Sequence, residues 1–375
     1  MKVAIVHDWL TGMRGGERCL EVFCELFPEA DLFTLLHVKG SVSPAIEKMN
    51  IKTSFLQCLP FVKKKYRLYL PFYPSAIESL NIKGYDLVLS ISHVAAKGVI
   101  PGPNALHIAY LLTPMRYAWD MYPEYFGVRY RERLTNLLIP LLANYLRLWD
   151  IASNNRVDHF ISISGHVARR IKKYYRREAE VIYPPVDMRK YHIAKQTDGY
   201  YLIVSAFAPY KRLDIAILAF NKLKRRLVII GKGQEEKRLK AMANPNVEFL
   251  GWVPDEVVAQ YYASCEALVF PGEEDFGITP LEAMASGRPV IAYGKGGVLE
   301  TVIPFELGNV KNLYDPTGIF FYEQNAEALI EAINTFESNR DYFEGKKLRE
   351  HAKRWDRPVF KEKVKSFIDR KLKMI

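Results

Sequence analysis

Cysteine is scarce in this chain: four among 375 residues, Cys19, Cys24, Cys58 and Cys265. None stands in CxxC spacing, which excludes a disulfide-built scaffold and a cysteine-based zinc module. The four read as reduced structural thiols of a cytoplasmic protein. The eight histidines form no HExxH or similar pair, so no metal site is expected from them. No apolar run approaches the ~20 residues that a membrane-crossing helix needs. The opening MKVAIVHDWL is short and broken at His7–Asp8, too polar for a signal-peptide core, and reads as a first strand. Internal repeats and low-complexity tracts are missing too, which leaves out solenoids and disordered tails.

What is there is globular in balance, with 49% hydrophobic and 25% charged residues. At roughly 150 residues per domain the length fits two domains or one large one. The net charge of +11 is unevenly spread: residues 1–195 hold 27 Lys and Arg against 17 Asp and Glu, and residues 196–375 hold 26 against 25. A basic half beside a nearly neutral one points to an anionic partner for the first half.

Short β-branched runs alternate with amphipathic segments. Strands are expected at 3–6, 31–35, 87–91, 107–111, 160–163 and 181–183. After Asp198–Gly199 the pattern restarts, with strands at 201–205, 227–230, 247–249, 267–270, 289–292 and 319–321. Such alternation predicts parallel sheets with crossover helices. Two series imply an α/β protein of two Rossmann-like domains, 1–195 and 196–354, facing a central cleft. Open parallel sheets bind ligands at the carboxyl ends of their strands.

Three constellations fall at such ends. Gly12-Met13-Arg14-Gly15-Gly16-Glu17-Arg18 lies between the first strand and an expected helix from Glu17. Its glycines let backbone N–H groups approach an anion, although a plain strand-to-helix turn would look the same. Ser205-Ala206-Phe207-Ala208-Pro209-Tyr210-Lys211-Arg212 places two cations where a helix opens. Glu273, Glu274 and Asp275 crowd a loop that nothing in the fold requires to be acidic. Beyond them Thr279, Pro280 and Glu282 spell a capping box, with Thr279 as N-cap and Pro280 at the first helical position. A capping box alone would explain Glu282. Carboxylates on the loop would also accept hydrogen bonds from sugar hydroxyls, beside a helix start suited to a diphosphate.

The stretch Glu274-x7-Glu282, continued by Ala283-Met284-Ala285-Ser286-Gly287-Arg288-Pro289 and Gly296-Gly297-x-x-Glu300, resembles the nucleotide-sugar site of retaining glycosyltransferases of family 4, which have the two-domain GT-B fold. Pro209-Tyr210-Lys211-Arg212 and residues 227–252 are similar to the same family. Thr113-Pro114-Met115-Arg116-Tyr117 and Val181-Ile182-Tyr183-Pro184-Pro185 resemble its O-antigen-type mannosyltransferase branch.

That resemblance implies a set of roles. Lys211 neutralises the donor diphosphate, Glu282 holds the ribose and Glu274 meets the sugar hydroxyls. Backbone amides of Phe276, Gly277, Ile278 and Thr279 line sugar and phosphate, Gly15 and Gly16 let the first domain approach the phosphate, and Val253 borders the base. Ala206 stands where the family usually has an arginine, for which Arg212 or Arg116 are the substitutes. Leu112 stands where the branch has a histidine, with His93 the nearest alternative. The implied reaction retains configuration, needs no metal and uses no cofactor beyond the donor, GDP-mannose. The helix expected at 355–375 would return to the first domain.

Cations interleaved with aromatics at Lys63-Lys64-Lys65-Tyr66-Arg67, Arg129-Tyr130-Arg131-x-Arg133 and Arg169–Arg177 suit an anionic inner-leaflet surface. A peripheral enzyme acting on a lipid-linked saccharide would use them so; solubilising surface charge is the plainer reading. No nucleic-acid module appears, so no nucleic-acid partner is expected. The other readings are a UDP-glucose-type transferase or epimerase on the same fold, and a non-catalytic anion- or membrane-binding scaffold.

Overall fold

A computed structural model describes residues 1–123, 135–305 and 315–374 of the chain. The basic run Arg129, Arg131 and Arg133 therefore lies outside the described residues. The chain forms two compact units, one of Met1–Pro184 with Phe360–Ile375, the other Pro185–Val359.

The first unit is built on a parallel sheet. Its strands are β1 (Val3–His7), β2 (Asp31–Thr34), β3 (Asn50–Thr53), β4 (Leu87–Ser92), β5 (Leu106–Leu111), β6 (His159–Ser162) and β7 (Ala179–Val181), in the order β3-β2-β1-β4-β5-β6-β7. β1, β4 and β5 are buried along their whole length, because helices cover both faces of a parallel sheet, and this is why they read as continuous apolar runs. Ile5 pairs with Leu32 on one side and Leu89 on the other. At the edge, β3 alternates exposed and half-buried residues; its sequence NIKT is too polar to stand out as a strand. β7 forms two residues earlier than the expected 181–183 strand. The helix Arg357–Leu372 buries Phe360, Val364, Phe367 and Ile368. The Phe360 ring lies 6.1 Å from Phe23 and 5.6 Å from Tyr110, centroid to centroid.

One buried histidine in this core has a fixed role. His107 Nδ1 lies 2.7 Å from the Arg156 carbonyl and so must carry the proton, leaving Nε2 to accept from the Ser90 hydroxyl at 2.9 Å. Burial pushes its pKa down to about 4.

The second unit repeats the architecture with β8 (Tyr200–Val204), β9 (Arg226–Ile230), β10 (Val247–Gly251), β11 (Leu268–Phe270), β12 (Val290–Tyr293) and β13 (Gly318–Phe321), ordered β10-β9-β8-β11-β12-β13 and parallel throughout. In each sheet the order reverses once, between β1 and β4 in the first unit and between β8 and β11 in the second. At such a switch point neighbouring loops leave in opposite directions and open a crevice outside the carboxyl ends of the strands.

Candidate functional site

The loops that follow β8 and β11 meet at the second unit's switch point. After β8 the chain runs through a short helical turn, Pro209–Lys211. After β11 it runs through Pro271–Gly277. Gly272 lets the two loops touch, since a Cβ there would stand 2.9 Å from Lys211 Cα and 3.0 Å from the Tyr210 carbonyl oxygen. The result is an ion pair between Lys211 Nζ and Glu274 Oε1, partly open to solvent. Glu274 is held from behind by a parallel bridge to Gly296 and by the Gly297 amide, which donates to its carbonyl at 2.9 Å. Glu273 is paired with Lys295 at 3.0 Å.

The helix that follows begins at Ile278, with Gly277 as N-cap at φ 86°. This corrects the expected capping box: Thr279 and Pro280 sit inside the first turn rather than at its boundary. Pro280 is tolerated there because the amide it lacks is one of the first four, which have no intrahelical acceptor. Glu282 is buried one turn further on and accepts a hydrogen bond from the Tyr262 hydroxyl at 2.8 Å. Phe276, Gly277, Ile278 and Thr279 thus line the start of the helix, beside the Lys211–Glu274 pair. Arg212 is turned elsewhere: its guanidinium meets Asp214 at 3.2 and 3.3 Å and Gln324 at 3.1 Å. Ala206 is exposed on the same loop. Val253 follows the exposed Trp252 just beyond β10.

Gly15, Gly16, His93 and Arg116 belong to the first unit. Gly15 opens the helix Gly15–Leu26, whose Glu17 accepts from the Arg14 amide at 3.1 Å. A Cβ on Gly16 would stand 2.8 Å from Leu112 Cδ1 and 3.6 Å from His7 Cε1. At the β1/β4 switch point stands Asp8, fully buried. Its carboxylate accepts the amides of His93 (2.7 Å), Val94 (3.0 Å), Ala95 (2.6 Å) and Ala96 (2.8 Å), and His93 Nδ1 lies 2.8 Å away. Burial alone would raise the Asp8 pKa. The facing His93, these hydrogen bonds and the nearby His7 outweigh it and hold the carboxyl well below the usual carboxylate range. His93 is partly exposed and stands T-shaped against Trp9, ring centroids 4.5 Å apart. Behind it His7 faces Glu17 at 3.8 Å, both buried.

Residues 187–355 match the family described as glycosyl transferases group 1. Over this stretch, a little under half of its length, the chain is similar to the group 1 glycosyltransferases. An uncharacterized glycosyltransferase of Methanocaldococcus jannaschii is 29% identical over 208 residues, covering 54% of this chain and 57% of that protein. The O-antigen chain mannosyltransferase C of Escherichia coli is 25% identical over 229 residues, 56% of this chain and 57% of that protein. The chain therefore matches less than two thirds of the length of either. Among solved structures, HepE of Anabaena in complex with UDP aligns with TM-score 0.68 and 17% identity over 98% of this chain and 100% of that one. At that identity the likeness speaks for the fold, and the fold is GT-B.

Asp8 and Tyr262 were not singled out from the sequence. Asp8 had a signal, an acid directly after a fully buried strand, but its partners lie 85 or more residues on and depend on β1 pairing with β4. Tyr262 had none; it is one of 23 tyrosines. Among the described residues no group of three or more His, Cys, Asp or Glu is placed to hold a metal ion.

Proposed function

We propose that the protein is a retaining glycosyltransferase that moves mannose from GDP-mannose to a lipid-linked saccharide at the inner face of the membrane. The observation that carries this reading is the Lys211–Glu274 pair at the second unit's switch point, against the first turn of the helix Ile278–Ala285. A diphosphate there meets one ammonium and the first amides of a helix, which together stabilise the charge that develops as it departs. The bond from the sugar C1 to the diphosphate breaks, and its electrons leave with the diphosphate. The acceptor oxygen bonds C1 on the same face, and its proton passes to the departing diphosphate. Glu274 orients the sugar hydroxyls, and Glu282, fixed by Tyr262, holds the ribose. Mannose and a saccharide-chain acceptor draw on the name of the Escherichia coli relative. HepE, of the same fold, is solved with UDP, so uridine is the competing base.

Calorimetric titration of GDP, UDP, GDP-mannose and UDP-glucose into wild type, Glu282→Ala and Lys211→Ala tests this. Guanine-selective binding lost in both variants supports the proposal. Uridine-selective binding keeps the enzyme class and discards mannose. No nucleotide binding leaves a non-catalytic scaffold, with Ala206 and Leu112 as its marks.

A further inference from the structure

The helix Thr135–Ala152, TNLLIPLLANYLRLWDIA, is apolar nearly all round. A helix with that pattern is normally buried on every side, yet here one face is not. Its inward residues Leu142, Ala143 and Leu146 pack against the first unit, where they line a cavity with Leu70, Tyr117 and Ala118. Its outward face carries Leu138 (57% exposed), Leu141 (61%), Tyr145, Leu148 (63%) and Ile151. These fall three or four residues apart, a stripe about 20 Å long at 1.5 Å per residue. The helix cannot roll to hide it. Asp150, fully buried on the inner side, accepts from Trp119 Nε1 and the Tyr175 hydroxyl, each at 2.8 Å, and pairs with the buried Lys97 at 3.0 Å.

The segment contributing Leu70 to that cavity shows a similar face. Phe61 is 77% exposed and held at φ 56°, and Leu68 (73%) and Phe72 are also exposed. Between them lie Lys63, Lys64, Lys65 and Arg67, all exposed, with no acidic residue from 61 to 72.

We propose that this face docks on an anionic lipid bilayer, the stripe of Thr135–Ala152 entering the interface and Lys63, Lys64, Lys65 and Arg67 meeting the headgroups. Among the described residues no helix is long and apolar enough to cross a membrane, so the helix lies along the surface. The cluster's charge selects lipid over a second copy of this chain, since two copies meeting here would bring eight cations together with no acidic residue in 61–72 to pair them, and Asp150 of the helix is buried on its inner side. The proposal rests on the lipid-linked-acceptor reading for its purpose but is tested by binding, so either can fail alone.

The test is flotation of the whole protein with vesicles of phosphatidylcholine, with and without a quarter phosphatidylglycerol, at low and high salt. Wild type should float with the anionic vesicles and keep part of that binding at high salt, because apolar insertion is not screened as ion pairing is. Leu141→Glu with Leu148→Glu should weaken binding by about tenfold or more, as burial of charge in the interface opposes insertion. Lys63→Gln, Lys64→Gln and Lys65→Gln together should remove chiefly the salt-sensitive part. Tyr145→Trp guards against a folding artefact: its added emission should shift to the blue on vesicles and be quenched by brominated acyl chains. Added emission that neither shifts nor is quenched in the Tyr145→Trp variant would overturn the proposal. So would undiminished flotation of the Leu141/Leu148 variant, or a dimer that this variant dissolves. GDP titration of the same samples reports on the donor site separately.

Discussion

Lys211 lies against Glu274, so a diphosphate reaching that ammonium competes with a carboxylate already beside it. The two residues should therefore respond in opposite ways. Lys211→Ala should weaken GDP binding about tenfold or more, the scale of a lost charge-assisted contact. Glu274→Gln should keep or tighten GDP binding while slowing transfer by about a hundredfold, since it removes a contact to the reacting sugar and frees the lysine. Titration of GDP beside a transfer assay reads both; equal loss of GDP binding would contradict the assigned roles. A second residue sets a pH dependence. His107 is neutral in the fold with a pKa of about 4, below the ~6.5 of an exposed histidine. Between those values the unfolded chain holds the extra proton, so stability falls as pH drops from about 6.5 to about 4, by up to roughly 3 kcal/mol. Asp8, whose pKa is depressed, contributes stability above its unfolded value and loses it as pH falls below about 4. Urea melts at pH 7 and pH 4.5 should show the His107 component, and His107→Gln should reduce the difference between them.

Elements differ in how far the sequence disclosed them, and the reasons are physical. Central strands such as β1 and β4 are apolar throughout because both faces are covered, so composition alone marks them. Edge strand β3 buries little and carries no such mark. The helix Ile278–Ala285 had a convincing N-cap at Thr279, yet it starts earlier because Gly277 takes a left-handed φ that another residue would resist. Composition likewise placed Lys211 and Glu274 on loops, but their meeting depends on two close approaches that only glycine permits. One of these is Gly297, where a Cβ would fall on the Asp275 carbonyl and Phe276 Cα, backbone atoms that cannot step aside. Gly297→Ala should cost about 2 kcal/mol or more by overpacking and displace the Glu274 loop. Gly16→Ala crowds only the end of the Leu112 side chain, which can rotate, and meets His7 at ordinary contact distance, so its thermal midpoint should stay within a few degrees of wild type. Melting of both variants checks the ranking; a larger loss at Gly16 would reverse it.

At the scale of the whole chain, two units with separate cores predict unfolding in more than one cooperative step. The chain crosses between them near Pro184 and near Phe360, so residues distant in sequence report on the same unit. Phe360→Ala removes a ring packed on Phe23 and Tyr110 and should lower the step belonging to the first unit, by about 3–5 kcal/mol for a buried phenylalanine. The donor nucleotide, on the reading proposed above, contacts chiefly the second unit. GDP at a hundred times its Kd should then raise that unit's step by about 2.7 kcal/mol through mass action alone. Scanning calorimetry of wild type, Phe360→Ala and Lys211→Ala, each with and without GDP, separates the two effects. Phe360→Ala should shift one step and leave the GDP response of the other, whereas Lys211→Ala should leave both steps near their places and abolish the response. If instead GDP raised the step that Phe360→Ala lowers, the nucleotide would draw its stability from the first unit. The anion it seeks would then be met by the basic half, at the Gly15–Gly16 helix start rather than at Lys211.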